Sequence, residues 1–353
     1  MRRPSSHDVA RRAGVSQSTV SLVLNGRTEA RISQETRNRV FAAAEELHYT
    51  RNATAHALVT GKTHRIGIVL NDPSSFLHRE SYHADLMTGL IKGALLTKYN
   101  ILLHSANYRD WKDLYNDIMG GAEDGVLLIG RLPGDEITTA LLDSQFPTVC
   151  VSYRPNHKSF HAVDCDNEQG GYLAVRHLLE CGCKHIVMVY PEDDSSWARE
   201  RKIGSERAIS ESGMNKDTLT IFQDKLVFSS DGAFQSHLLN MISKVEIQPD
   251  GLFFSDEFQA QMLLERFKSL GIRAPDDIAV VSFNSTTVSE RSRPPMTSIY
   301  QPLADIGERA FITLVDILEG RSPSDGLQKF PVRLDMREST GYPSSDQLPK
   351  EFV

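Results

Sequence analysis

The chain has 353 residues, 40% hydrophobic and 24% charged, an ordinary globular composition long enough for two or three domains. No stretch nears the ~20 consecutive apolar residues of a membrane span, and the start, MRRPSSHDVA, lacks the apolar core of a secretory signal, so a cytoplasmic protein without membrane contact is expected. A net charge of -7 taken by itself argues against nucleic acid as a partner, because binding to phosphate needs a basic surface.

The charge is unevenly placed. Residues 1–60 hold nine arginines, no lysine and five carboxylates, net +4; the remainder, with 30 of the 39 basic and 41 of the 46 acidic side chains, carries -11. A small basic head on an acidic body suggests a nucleic-acid module at the N-terminal end. Within the head, Ser5 with Asp8 three residues on makes a capping-box-like helix start, Val9, Ala10 and Ala13 give one apolar face, and Gly14 stops the helix. Ser16 can cap a second helix, Gln17 to Leu24, whose Val20, Val23 and Leu24 face inward before Asn25-Gly26. After a polar loop, Ser33 can cap a third helix with Val40, Ala43, Ala44 and Leu47 at 3, 4 spacing.

A helix-turn-helix needs a small residue where its helices cross, a glycine-like residue at the turn and an apolar residue locking the second helix; Ala10, Gly14 and Val20 supply them in order. This leaves Gln17 and Ser18 pointing outward toward base edges, with Ser16, Thr19, Ser21 and Asn25 able to bond phosphates. On spacing alone an ordinary helical hairpin remains the alternative. Further on, Asn52 can cap a short helix, Ala53 to Leu58, too brief to be stable alone in water.

From His64 onward β-rich runs alternate with helical stretches, the pattern of parallel α/β units. Strands are expected at 66–70, 101–104, 125–129, 148–151, 186–190, 251–254 and 278–283, with helices at 85–98, 169–181, 198–212, 233–243 and 259–270 among others. No G-x-G-x-x-G follows a strand, and H-E-x-x-H, G-x-S-x-G and a P-loop do not occur, so neither an enzyme nor a cofactor is expected. Cys150, Cys165, Cys181 and Cys183 make neither a disulfide framework nor a zinc site, and no metal is expected. Asp164 and Asp166 lie on one face of an extended segment; a strand end and a helix cap explain them better than a catalytic carboxylate pair.

The stretches DVARRAGVSQSTVSLVLNG, ISQETRNRVFAAAEELHY and RNATAHALVTGKTHRIGIVL resemble the head, hinge and first body strand of the LacI/GalR family of bacterial transcription regulators. AVDCDNEQGGYLAVRHLLECGCKHI, WARERKIGSERAI, LGIRAPDDIAVVSFN, RPPMTSIYQPLADIGERA and VRLDMREST extend the resemblance over nearly the whole chain. It implies a helix-turn-helix domain at 1–50, a hinge helix and linker at 51–62, a two-lobed α/β effector and dimerisation domain at 63–345 similar to periplasmic sugar-binding proteins, and a tail at 346–353. It also implies a homodimer on double-stranded operator DNA, with Leu58 of each subunit wedged into the minor groove. Arg31, Ala55 and His56 join the DNA-facing candidates, and Leu22 stands where the family usually has a guanine-reading arginine, which predicts an altered operator.

Residues matching the family's effector contacts are Asn71, Tyr82 or His83, Trp197, Arg201, Asn284 and Gln301. Arg201 as a surface ion pair and Trp197 as core packing are the plainer readings. Ser282-Phe283-Asn284-Ser285 replaces the usual G-[FY]-D-D, and Ser255-Asp256 the usual Asn-Asp, which predicts a disaccharide or sugar phosphate rather than a common free hexose. Two alternatives to sugar-controlled repression are a response to a phosphorylated protein corepressor and, from another class, a sugar-binding transport protein.

Overall fold

The computed structural model describes residues 4–24, 32–50, 57, 60–70, 80–106, 108–130, 132, 135–192, 195–224, 233–244, 248–321, 323 and 326–341. The chain divides into two compact units, Met1–Thr63 and His64–Val353.

The head is three helices: α1 (Ser6–Ala13), α2 (Gln17–Leu24) and α3 (Gln34–Glu46). Ser5 and Asp8 form the full capping box, and Gly14 ends α1 in the left-handed region at φ 67°, where a side chain would be strained. Ser16 accepts from the Thr19 amide at 3.1 Å and Ser33 from the Thr36 amide at 3.2 Å, so all three helices start on side-chain caps. Val9, Ala10, Ala13, Val20, Val23, Leu24, Val40, Ala43 and Ala44 make the core, small residues that let short helices cross closely. The Arg12 fork grips Glu46 at 2.8 and 2.9 Å and ties α1 to α3.

The body is built as two similar lobes. Its elements run β1 (Arg65–Leu70), α4 (Glu80–Leu95), β2 (Asn100–His104), α5 (Trp111–Ile118), β3 (Gly125–Ile129), α6 (Glu136–Asp143), β4 (Thr148–Val151), β5 (His161–Cys165), α7 (Asn167–Glu180), β6 (Ile186–Pro191), α8 (Ser196–Ser212) and β7 (Leu219–Asp224). Then follow α9 (Ala233–Lys244), β8 (Gly251–Phe254), α10 (Glu257–Leu270), β9 (Ala279–Asn284), α11 (Thr287–Arg291), β10 (Thr297–Tyr300), α12 (Leu303–Leu318), β11 (Gly326–Phe330) and β12 (Arg333–Asp335). One sheet has the order β11-β5-β4-β3-β1-β2, all parallel; the other is β12-β10-β9-β8-β6-β7, parallel except for β12 against β10. The chain crosses between lobes three times: after β5, after β10 and after β11. Helices cover the sheets, so β3, β4 and β6 read as unbroken buried runs.

Each lobe is locked by one glycine-mediated helix pair. A Cβ on Gly89 of α4 would fall 1.9 Å from the Ala304 carbonyl oxygen of α12, and one on Gly204 of α8 would fall 1.8 Å from that of Glu168 in α7. Gly171 meets the Arg201 carbonyl in the same way, at 2.0 Å. These backbones touch, so neither pair can slide without rebuilding its lobe.

Several boundaries differ from expectation for local reasons. Helices α7 and α10 begin two residues early because Asp166 and Asp256 cap them, each accepting from the amide of a glutamine three residues on at 3.2 Å. Helix α4 begins at Glu80 and ends at Leu95, short of Lys98, because the Thr97 hydroxyl takes the Ala94 carbonyl at 3.2 Å.

Candidate functional site

Two sets of residues carry candidate chemistry. On the head, Ser16, Gln17, Ser18 and Ser21 stand exposed on the first turns and outer face of α2, while Thr19 and Leu22 are half-buried. The Gln17 amide donates to the Ser6 hydroxyl at 2.7 Å, and Ser18 lies 2.7 Å from Ser16, so both are pre-positioned within the head. Ser16 is a helix cap as well as a contact candidate. Asn25, Arg31, Ala55, His56, Leu58 and, on the body, Asn71 fall outside the described residues.

The second set gathers where the two sheets present the C-terminal ends of their strands. Ser152 follows β4, Asp164 lies near the end of β5, Ser255 follows β8, Asn284 ends β9 and Gln301 follows β10. Arg201, projecting from α8 and only 6% exposed, is the centre. Its Nε donates to Asn167 Oδ1 at 2.9 Å and its Nη1 to the Ser255 carbonyl at 2.8 Å. Its guanidinium carbon stands 4.7 Å from the Trp197 ring centre and 3.3 Å from that of Phe283. Arg201 is therefore no surface ion pair, and half-buried Trp197 is one of its stacking partners.

Around it, the Tyr82 hydroxyl donates to Ser152 Oγ at 2.7 Å, and burial pushes the Tyr82 phenol well above its ordinary range. His83 packs edge-on against Tyr82, ring centres 5.1 Å apart. The Gln301 amide donates to Asn284 Oδ1 at 2.7 Å. Asn284 and Ser285 both take positive φ, 108° and 50°, a costly conformation held by Ser298, whose hydroxyl accepts from the Ser285 amide at 3.1 Å. Asp164 accepts from the Cys165 amide at 2.7 Å and from Asn167 at 2.9 Å; burial pushes its carboxyl up to about 7 against the pull of Arg201. Asp166, by contrast, is the α7 cap, so the two aspartates divide as strand end and cap.

The structure brings Tyr82, Trp197 and Arg201 to one place and pairs Asn284 with Gln301, the two groups meeting through Phe283 beside Asn284. It adds Ser152 and Asn167, whose only sign in the sequence was a position near a strand end, and it makes Ser255 and Phe283, visible in the sequence only within departures from the family pattern, direct neighbours of Arg201. A latch closes the rim: the Arg154 amide donates to Ser196 Oγ at 3.0 Å, and Glu200 of α8 faces Arg154 at 3.9 Å and Lys329 of the other lobe at 3.7 Å. Among the described residues no His, Cys, Asp and Glu cluster could hold a metal, and no helix is long and apolar enough to cross a membrane.

Comparison with known proteins bears on both sets. Residues 6–52 match the model for bacterial regulatory proteins of the lacI family, and residues 175–340 that for a periplasmic binding protein-like domain. The transcriptional regulator CelR of Thermobifida fusca is 30% identical over 96% of this chain and 98% of its own. Catabolite control protein A of Priestia megaterium is 28% identical over 95% and 98%. Among solved structures, a CelR–cellobiose complex is 27% identical, covers 96% of this chain and all of its own, and superposes with a TM-score of 0.70. A lac repressor dimer bound to operator and an anti-inducer, 22% identical over 96% of this chain and 99% of its own, shares the fold with a TM-score of 0.77. The chain belongs to the lacI family of bacterial regulatory proteins: it is a DNA-binding transcription regulator with a two-lobed effector body.

Proposed function

We propose that the protein represses a carbohydrate-utilisation operon, acting in the cytoplasm as a homodimer on a pseudo-palindromic operator under the control of a saccharide in the body cleft. The observation that carries this reading is the pairing, in one chain, of a three-helix head with a polar outer face on α2 and a cleft where a stacked, buried arginine meets amides and hydroxyls. Stacking surfaces beside fork-like donors suit a sugar ring and its hydroxyls.

Residues 1–50 read the half-site, through Gln17, Ser18 and Leu22 at base edges and Ser16, Thr19, Ser21, Asn25 and Arg31 at phosphates. Residues 51–62 serve as the hinge, with Ala55, His56 and Leu58 toward the minor groove, and the body follows from residue 63. Asn71, Tyr82, His83, Trp197, Arg201, Asn284 and Gln301 take the effector. Cellobiose in the CelR complex supports a disaccharide-sized ligand. Whether the ligand releases or strengthens operator binding depends on which lobe arrangement it prefers.

Binding-site selection with the full chain tests this directly. The expected product is one pseudo-palindrome whose half-site departs from the family's usual sequence at the base pair facing Leu22, with affinity altered by at least one saccharide. Binding indifferent to sequence overturns the operator reading. Tight calorimetric binding of plain galactose or ribose overturns the choice of ligand.

A further inference from the structure

The cleft holds a buried cation whose contacts with the described residues leave its charge uncancelled. Among those residues the hydrogen-bond acceptors of Arg201, the Asn167 amide oxygen and the Ser255 carbonyl, are neutral, and the rings of Trp197 and Phe283 stack against its guanidinium. Among the described residues no carboxylate comes within ion-pair distance. Asp164 lies beyond Asn167, which it accepts from at 2.9 Å. Asp256 attracts the guanidinium from a distance but caps α10. Glu200, the residue before Arg201 in α8, is engaged by Lys329 and Arg154.

Among the described residues the aspartates that attract Arg201 are Asp164 and Asp256, and the surroundings of Asp164 oppose its ionisation. Burial holds it up to about 7, with Glu200 of α8 adding repulsion, against the pull of the Cys165 amide and side chain, of Arg201 and of the Asn167 amide that donates to it. Tyr82 of α4 faces the same group and is kept neutral by burial. Ser152, Asn284 and Gln301, also at the cleft, are uncharged, and His83 packs against Tyr82. A second observation points the same way: Ser255 is buried, its carbonyl serves Arg201, and its hydroxyl has no hydrogen-bond partner among the described residues. A cation taken out of water with an unused donor at its side is unfavourable until an anion supplies both with a partner.

We propose that the cleft is built for an acidic saccharide, one whose carboxylate or phosphate pairs with Arg201 and accepts from the Ser255 hydroxyl. The proposal rests on the effector reading given above and narrows it to a charge class. Ring stacking on Trp197 and hydrogen bonds from Asn284 and Gln301 then hold the neutral part of the ligand.

Calorimetry on the full chain, with D-glucuronate, glucose 6-phosphate, cellobiose 6′-phosphate and inorganic phosphate set against glucose and cellobiose, decides the matter. At least one acidic saccharide is expected to bind about tenfold or more tightly than its neutral parent, a difference in keeping with one buried charge pair. The carboxylate and phosphate arms tell the two sources of charge apart, and inorganic phosphate tells whether the anion alone suffices. Ser255→Ala, a change that leaves the Arg201 bonds in place, is expected to cut that preference several-fold. Affinity for glucuronate, ionised throughout the range, is expected to fall several-fold from pH 6 to pH 8 as Asp164 gains charge, and Asp164→Asn to flatten that dependence. Neutral parents that bind as tightly as the acids, or a panel in which no acidic saccharide binds, overturns the proposal. A neutral saccharide that binds and shifts operator affinity leaves the effector reading standing without the charge class; operator affinity unmoved by every saccharide removes the effector reading as well.

Discussion

The head and the body put polar side chains to opposite uses. In the head, Ser16, Gln17, Ser18 and Ser21 stand in solvent above a core of valine, alanine and leucine alone. In the body, Asn167, Arg201, Asn284 and Gln301 are buried and hydrogen-bonded to one another or to backbone. A head this small cannot enclose a duplex, so its contacts must project; a small ligand must be surrounded, so its contacts must be enclosed. Recognition and stability are therefore separable in the head and fused in the body.

The most direct way to break this separation is to ask whether the head can work without the body's pairing surface. Ile91 and Leu95, one turn apart on α4, are 47% and 80% exposed, Leu96 follows them in sequence, and Leu103 of β2 is exposed as well. Such a patch fits a second copy of the chain. Ile91→Asp with Leu95→Asp is expected to give a monomer by sedimentation and to weaken operator binding a hundredfold or more, about 3 kcal/mol, with the head unaltered. A monomer that binds as tightly as the parent would show the head to be self-sufficient.

A second change sharpens the comparison from the body's side. Gly204→Ala drives a methyl into the Glu168 carbonyl and is expected to cost the body about 3 kcal/mol in a denaturant titration, while the head, with a core of its own, keeps its transition. Loss of saccharide response should accompany it, since α8 carries Arg201.

The smallest effect is expected at the head's first cap. Ser5→Ala removes half of the capping box and is expected to cost about 1 kcal/mol of head stability. The hydrogen bonds from Ser5 hold the Asp8 carboxyl down to about 2, so its contribution is present above pH 4 and is lost as pH falls toward 2. Helical signal from the parent head should decline over that window, and less so in Ser5→Ala.

The same contrast decides how much was legible in the sequence. The head's pattern is local: caps at Ser5, Ser16 and Ser33 and apolar residues at 3, 4 spacing all act within one or two turns. Most of the parallel strands were legible too, as runs such as Gly125–Ile129 bounded by polar turns, but the short buried strands β5 and β10 were not among those expected. The edge strand Leu219–Asp224 was not, because its half-exposed residues break the apolar run. Nor did sequence reveal Asn167, Ser255 and Phe283 as neighbours of Arg201, since the tertiary arrangement of the body, and not any short-range rule, brings these distant residues to α8. The departures at Ser255 and Asn284 were visible as substitutions, but the charge left on Arg201 emerged only with its contacts.

Glu200 gives the rim latch a sensitivity that no ligand controls. Its bridges to Arg154 and Lys329, at 3.9 and 3.7 Å, join partly exposed groups and weaken as dissolved ions screen them. Phosphate contacts made by the arginine-rich head weaken under the same conditions. A rise in cellular osmolarity met by ion uptake thus acts on this molecule at both ends at once, loosening its grip on the duplex and the closure of its lobes together.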